Sequence, residues 1–406
     1  MSLFSPEHEL ARSMLRRWCE ETLAPRVDAL ESGEELPYPL VRSFAESFGL
    51  IEQADAVGRR LWRSMEQGEL PEDDEKRAKR KARERDQQLL SAILSWELCR
   101  VCPGFCFALG ASLGLAGSAV MSKGTPEQKL QWGLPILRFD KIGAWALTEP
   151  DAGSDALGAM RTRAVRDGAD FILRGQKRFI TNAPYADLFV IYAKFEGQDG
   201  VERVGAFIVE RGTPGLETSR PLKKMGLHAS PTGDIFLDDV RIPAQQLLGG
   251  EQAARRGEVV KRLAAERAGM VPMCLGIMER CIEVAVLYTR EREQFGQPIS
   301  NFQLVQATLA RMQVAYENGL GLFSRLLDGM ASDNIDLKLA CAAKLYIAEE
   351  TTKVALAAVQ LLGGNGYMAE YRVEMLARDA KLFEIGGGTN EIQLLTIARE
   401  MLKVGS

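Results

Sequence analysis

The chain has 406 residues, with 51 Lys plus Arg against 55 Asp plus Glu and only two histidines, His8 and His228. At roughly 100–200 residues per domain it holds more than one domain and can bury a large core without metals or disulfides. A net charge of −4 excludes a global cationic field for nucleic acid or anionic membrane, and two histidines leave little scope for His-ligated zinc or a Ser-His-Asp triad, so carboxylates are the expected proton carriers.

The first residues carry Glu7, His8 and Glu9 where a secretory leader has its apolar stretch, and the seven cysteines follow no regular framework. Both features point to a cytoplasmic setting with free thiols. No run approaches the ~18 uninterrupted apolar residues that a membrane span needs. Residues 1–140 show helical spacing of apolar positions, as in LARSMLRRWCEETL and LLSAILSWELC. Residues 141–250 change to short β-branched and aromatic runs, among them FILRGQKRFI, LFVIYAKF and VGAFIVE, separated by Gly, Asp and Pro. Residues 251–406 return to long amphipathic helical stretches, with Pro272 a local kink. The expected class is therefore α+β, mainly α: a helical domain, a middle β domain and a helical bundle.

One charged block, EDDEKRAKRKARERD at 72–86, places seven Lys or Arg between Lys76 and Arg85. An exposed solvated helix or mobile loop accounts for it, and a docking patch for an acidic partner is the alternative. Two strings with catalytic overtones lack their context. GASLG around Ser112 needs a strand before it and an acid and a His after it to be a nucleophile elbow, and only His228 follows. Cys99, Cys102 and Cys106 have apolar surroundings and no fourth ligand nearby, so buried thiols are expected. Neither G-x-G-x-x-G nor a P-loop occurs.

Four other segments carry chemistry. WALTEPDAGSD at 145–155 offers Thr148, Gly153 and Ser154 in a turn-rich stretch, where N–H groups and hydroxyls meet a planar polar ligand. GQKRFITNA at 175–183 alternates Phe179 and Thr181 on one strand face, an aromatic surface beside a hydroxyl. QLLGGNGY at 360–367 and RDAKLFEIGGGTNEIQ at 378–393 are Gly-rich breaks after helices, either plain C-caps or sites of close backbone approach to phosphate or thioester.

In this order, and with REREQFGQPISNFQLVQ at 290–306, these strings resemble the acyl-CoA dehydrogenase family. The resemblance implies that family's fold, with a C-terminal four-helix bundle and FAD held between the β domain and the bundle. It implies a homotetramer, or less commonly a dimer, whose neighbouring subunit completes the FAD site. Trp145, Leu147, Thr148, Gly153, Ser154, Phe179 and Thr181 would line the flavin, with Phe179 standing where the family usually has Trp. Arg292, Gln294, Phe295, Phe302, Gln303, Gln360, Gly363 and Gly364 of the neighbouring subunit would meet the adenosine diphosphate part. Thr389, Asn390 and Glu391 would return to the flavin, while Ser154, Arg267, Gly388 and Arg399 would face the substrate.

Most relatives carry Y-E-G-T after DAK, with the Glu as base, where this chain has Gly386, Gly387, Gly388 and Thr389. Relatives similar to isovaleryl-CoA and long-chain acyl-CoA dehydrogenases instead use a Glu before an Arg on the first long bundle helix. Counted back from FGQ, that position is Glu266, with Arg267 after it. A surface pair of Glu266 with Arg262 is the plain alternative, and Glu384 is the substitute base. The implied reaction is FAD-dependent α,β-dehydrogenation of an acyl-CoA, with Glu266 taking the α-proton, the Gly387 N–H supporting the thioester oxygen, and electrons passing to an electron-transferring flavoprotein. Branched or otherwise unusual acyl groups suit the relocated base. A P-E-x-x-G-G-x-G stretch usual in relatives is replaced by the charged segment, so an acyl-carrier-protein thioester is a further possibility. An acyl-CoA oxidase, a flavin monooxygenase and a catalytically inactive FAD-bound scaffold share the fold.

Overall fold

A computed structural model describes residues 3–67, 74–251, 256–331 and 335–402, without the side chains of 67, 74–81, 84, 256–263, 328, 330 and 331. The N-terminal part is helical: α1 (Pro6–Trp18), α2 (Val27–Ser32), α3 (Pro37–Ser47), α4 (Leu50–Gln67), α5 (Asp74–Val101), α6 (Pro103–Gly110), α7 (Ser118–Lys123), α8 (Pro126–Gln128) and α9 (Leu134–Leu137). Sequence-local signals set several starts. The Ser5 side chain accepts from the His8 N–H ahead of Pro6 in α1, and Thr125 with Gln128 closes a capping box on α8.

The helical run Pro103–Lys123 corrects one expectation, since by length and composition it is apolar enough to cross a membrane. In this fold 61% of its apolar window is buried, because Phe105, Cys106 and Leu109 enter the helical core while Ala116, Ala119 and Val120 pack against the sheet. Ser112 sits inside this helical stretch and accepts the Gly143 N–H at 3.0 Å, which is helix-to-strand packing and not a nucleophile elbow. All seven cysteines are buried and free, and burial pushes the Cys99 thiol well above its ordinary range.

Strands β1 (Gly143–Ala146), β2 (Arg163–Asp167), β3 (Asp170–Thr181), β4 (Leu188–Glu196), β5 (Glu202–Glu210), β6 (Leu216–Thr218) and β7 (Thr232–Pro243) form one sheet ordered β1-β4-β2-β3-β7-β6, with β5 on β4. β1 runs parallel to β4, while β3 and β7 pair antiparallel with breaks in register at Leu173/Gly175 and Lys177/Ile180. Both sheet faces are covered by apolar clusters, one around Phe171, Phe195 and Phe207 and one around Trp132, Leu188 and Ile208.

The C-terminal part comprises α10 (Arg256–Glu291), a hairpin of β8 (Glu293–Gln294) and β9 (Gln297–Pro298), then α11 (Gln303–Ala331), α12 (Leu337–Leu362), α13 (Gly364–Tyr367), α14 (Val373–Phe383) and α15 (Asn390–Leu402). α10 continues through Pro272 and packs against α5, α11, α12 and α14. Its helix bundle shares one continuous apolar core with the N-terminal helices, from Phe4 and Trp96 to Met278 and Phe383. Fully burying such side chains stabilises by about 1.5–3 kcal/mol each. A buried ion cluster adds register: Glu97, with no exposure, accepts from Arg12 and Arg16, and Arg12, Arg16 and Trp96 also donate to Glu279 of α10. α10 is thereby tied at Glu279 to α1 and α5. The helix α5 contains the basic run, but the side chains of Lys76, Arg77, Lys79, Arg80 and Lys81 lie outside the described residues.

Candidate active site

The loop leaving β1 is held from beneath. The Leu147 carbonyl accepts from the Lys177 Nζ at 3.1 Å, and the Thr148 carbonyl accepts from the Arg178 N–H at 2.9 Å. Glu149 is buried and accepts from Lys177 (2.7 Å), the Thr162 hydroxyl (2.5 Å) and the Thr162 and Arg161 N–H groups. Those donors outweigh burial, the largest single influence, and hold its carboxyl below the ordinary range. Trp145 is half-buried against Tyr192, while Gly153 and Ser154 are exposed on the same loop.

The register break in β3 falls beside this loop. Phe179 adopts φ 59° there, with 61% of its surface exposed and the Arg178 guanidinium 5.0 Å from its ring centre. A break in register, and not plain alternation, thus presents Phe179 beside the Thr148 loop, with Thr181 half-buried two positions on and paired with Thr232. An aromatic residue held in the left-handed region with its ring in water is costly, and a planar ligand over the ring offsets that cost.

A second group forms where α10 meets the loop after α14. The carboxyl of Glu266 lies beneath Gly387: a Cβ built at 387 would stand 3.8 Å from Glu266 Oε1 and 2.5 Å from Met270 Cε. Gly387 and Gly388 both have positive φ, 63° and 87°, which an L side chain adopts only with strain. Glu266 retains partial accessibility, yet burial is the dominant influence and raises its carboxyl above the ordinary range against the opposing charges of Arg267 and Lys344. Arg267 is 7% exposed, bonds the Cys341 sulfur at 3.3 Å, and has a buried Nε without a partner. The alternative pairing partner Arg262 lies outside the described side chains. Glu384 is otherwise engaged, accepting from Thr352 (2.6 Å) and Lys381 (2.8 Å); burial is its largest influence, but those bonds hold its carboxyl low. Gly387→Ala is expected to cost about 1–3 kcal/mol, from strain at positive φ and the clash with Met270, measurable by thermal unfolding.

A third group gathers at the far end of α10. Phe295 and Gly296 form the tight turn of the hairpin with φ 53° and 78°, and Phe295 is 94% exposed beside Phe302 at 6.1 Å. Arg292, Gln294, Gln303 and Gln360 are exposed, and the Asn365 amide between Gly363 and Tyr367 donates to the Tyr288 hydroxyl at 2.9 Å. Thr389 accepts the Ile392 N–H and starts α15, where Asn390 is buried with an unpaired Oδ1 and Glu391 is exposed. Arg399 stands exposed near the end of α15, without an ion pair or hydrogen bond among the described residues. The exposed, strained Phe179 and Phe295 and the unpaired Asn390 and Arg267 atoms fit a large ligand with planar rings and many polar atoms.

Sequence reasoning missed four members of these groups. Lys344 and Lys177 have no exposure, Met270 covers Gly387, and Gln393 bonds the glycine loop. The periodicity held a signal for the lysines, since Lys344 lies on the α12 stripe of Ala340, Ile347 and Thr351, and Lys177 follows Phe171 and Leu173 on the inward face of β3.

Comparison with known proteins places these sites in context. Residues 144–240 match the family model described as acyl-CoA dehydrogenase, middle domain, and residues 257–402 match acyl-CoA dehydrogenase, C-terminal domain. The chain is 31% identical over 406 residues to mitochondrial isovaleryl-CoA dehydrogenase of Oryza sativa subsp. japonica, covering 99% of this chain and 92% of that protein. Its fold is similar to butyryl-CoA dehydrogenase from Megasphaera elsdenii, with a TM-score of 0.84, 29% identity and coverage of 98% and 99% of the two chains. It is also similar to the prolyl acyl carrier protein oxidase AnaB, with a TM-score of 0.83, 28% identity and coverage of 98% and 100%.

Proposed function

The chain belongs to the acyl-CoA dehydrogenase family of FAD-dependent oxidoreductases acting on CH–CH groups, and we propose that it desaturates an acyl-CoA at its α,β bond with Glu266 as the base. One observation carries this assignment: the Glu266 carboxyl lies under Gly387, the loop position from which a family-type Glu would act, so the carboxylate reaches the same space from the helix instead of the loop. FAD, when bound, supplies the acceptor for the β-hydride. Thr148, Phe179 and Thr181 are the residues that would hold its flavin, with Phe295, Phe302 and the 360–364 loop of a second copy on its other end.

Glu266 takes the α-proton onto a carboxylate oxygen. Burial raises its basicity, and the charges of Arg267 and Lys344 oppose that rise. The N–H groups of the glycine loop, that of Gly387 among them, donate to the thioester oxygen as negative charge builds there. A carboxylate approaching from α10 leaves the loop side of the α and β carbons to glycine, which suits short branched acyl groups. An electron-transferring flavoprotein is the proposed acceptor. The apolar side chains of Leu394, Leu395, Met401 and Leu402, each more than half exposed, support a homotetramer, and the free thiols support a cytoplasmic enzyme.

The test is anaerobic. Purified yellow protein is mixed under argon with straight and branched acyl-CoA thioesters, and the flavin absorbance is followed. Rapid bleaching by a branched acyl-CoA is the expected result, and no bleaching by any thioester overturns the proposal in favour of an inactive scaffold. Fast reoxidation in air would assign an oxidase. A carrier-protein thioester is the second arm, because Arg83 and Arg85, the described members of the basic run, are exposed.

A further inference from the structure

We propose that Lys344 is a positioning residue which, together with Gln393, clamps the carbonyls of the glycine loop and so turns its N–H groups toward the thioester oxygen. The inference rests on the proposed dehydrogenation and deepens it. Lys344 lies on the inward face of α12 with no exposure, and its Nζ donates to the Gly388 carbonyl at 2.7 Å. Gln393, also without exposure, donates from its Nε2 to the same carbonyl at 2.8 Å and to the Gly387 carbonyl at 3.2 Å. Two buried side chains from different helices thus hold two successive carbonyls.

The peptide bond translates that clamp into direction. In a trans peptide the C=O and the following N–H point opposite ways, so tying the carbonyls of 387 and 388 inward turns the N–H groups of Gly388 and Thr389 outward. Among the described residues the N–H groups of Gly387, Gly388 and Thr389 have no backbone acceptor, although they are consecutive and only partly exposed. Successive free N–H groups on positive-φ glycines make a concave receptor for an oxygen that gains negative charge. Glycine by itself would let this loop sample many shapes, so the clamp selects one.

Charge strengthens the arrangement. The charged or titratable groups that act on Lys344 are Glu266, Arg267 and Cys274 from α10, Glu384 from the end of α14 and Glu391 from α15. Burial, the largest influence, lowers the Lys344 ammonium to about 8, which leaves it protonated at neutral pH. A cation bonded to a peptide carbonyl polarises that peptide and makes its N–H a better donor.

The test uses FAD-loaded enzyme and cinnamoyl-CoA, a thioester whose absorption moves to longer wavelength as its carbonyl is polarised. Wild-type enzyme is expected to give that shift, and the shift should shrink as pH rises through about 8. Lys344→Met should keep its FAD, lose most of the shift and its pH dependence, and show kcat lowered about 10–100-fold with KM little changed. Lys344→Arg should restore part of both. Should Lys344→Met fail to hold FAD, Gln393→Leu carries the same measurement from the other side of the clamp. A wild-type shift and wild-type kcat in Lys344→Met and Gln393→Leu would overturn the inference, as would absence of any shift in a wild-type enzyme that still bleaches with acyl-CoA. Failure of bleaching with every thioester overturns the functional proposal itself.

Discussion

Glu266→Gln is expected to purify yellow and to bleach with acyl-CoA at least about 10³-fold more slowly than the parent. The amide has the carboxylate's shape, so the contacts with Gly387 and Met270 survive, but it cannot accept a proton. The pH profile separates this from a packing effect. Burial raises the Glu266 carboxyl, and the base must be ionised, so the parent's rate rises with pH along a limb above the ordinary glutamate range. That limb should vanish in the variant. Stability should move the other way: a raised folded pKa means that this group's contribution is full below the unfolded value and is lost as pH rises through the folded one. Above the folded value the parent therefore carries the cost of an ionised buried carboxyl, and there Glu266→Gln should melt at an equal or higher temperature, a trade of stability for activity. A variant with parental bleaching rates would exclude Glu266. Glu384 would inherit the role with difficulty, because both its oxygens already accept bonds from Thr352 and Lys381.

How much of this was legible in the sequence depends on the range of the interaction. Helix and strand periods were, because every apolar stripe reports its own burial, and the offset from Phe295 led to Glu266 without any coordinates. The bulge at Phe179 was not, since a break in register is a property of β3 and β7 together and the period of two runs through it unmarked. Nor was Lys344, which is separated by 44 positions from the Gly388 carbonyl that it holds. The membrane-like run Pro103–Lys123 was missed for a different reason: its glycines and cysteines look like interruptions, yet in a helix wedged between two apolar cores they are close-packing residues. Gly104 shows this, as a Cβ there would meet the Ala229 backbone at 3.1 Å.

The largest stability effect is expected at Lys177, because one side chain there supports both the sheet and the loop after β1 that we propose holds the flavin. Lys177→Met preserves volume but leaves Glu149, 5% exposed, without its counter-charge. Breaking a buried pair from one side costs about 3–5 kcal/mol, since the remaining charge stays desolvated. For domains of this size that corresponds to a fall in melting temperature on the order of 10 °C. The Leu147 carbonyl also loses its donor, so the loop beside Phe179 keeps only the Thr148–Arg178 backbone bond and FAD should dissociate more readily, seen as a lower flavin-to-protein ratio after gel filtration. pH supplies the control. Burial lowers the Lys177 ammonium to about 8, so the pair is ionic at neutral pH. Glu149 is depressed below its ordinary value of 4.5, so its stability is present above that value and lost as pH falls through the folded one. The gap between parent and variant should therefore be widest near neutrality and close in acid, where Glu149 is protonated in both. Adding Glu149→Gln to Lys177→Met should recover part of the loss at neutral pH, because the amide needs no counter-charge and its one oxygen still accepts from Thr162, while the Arg161 N–H loses its acceptor. A double variant no more stable than Lys177→Met would show that the lysine acts through packing, and its charge would then play no part in holding the loop.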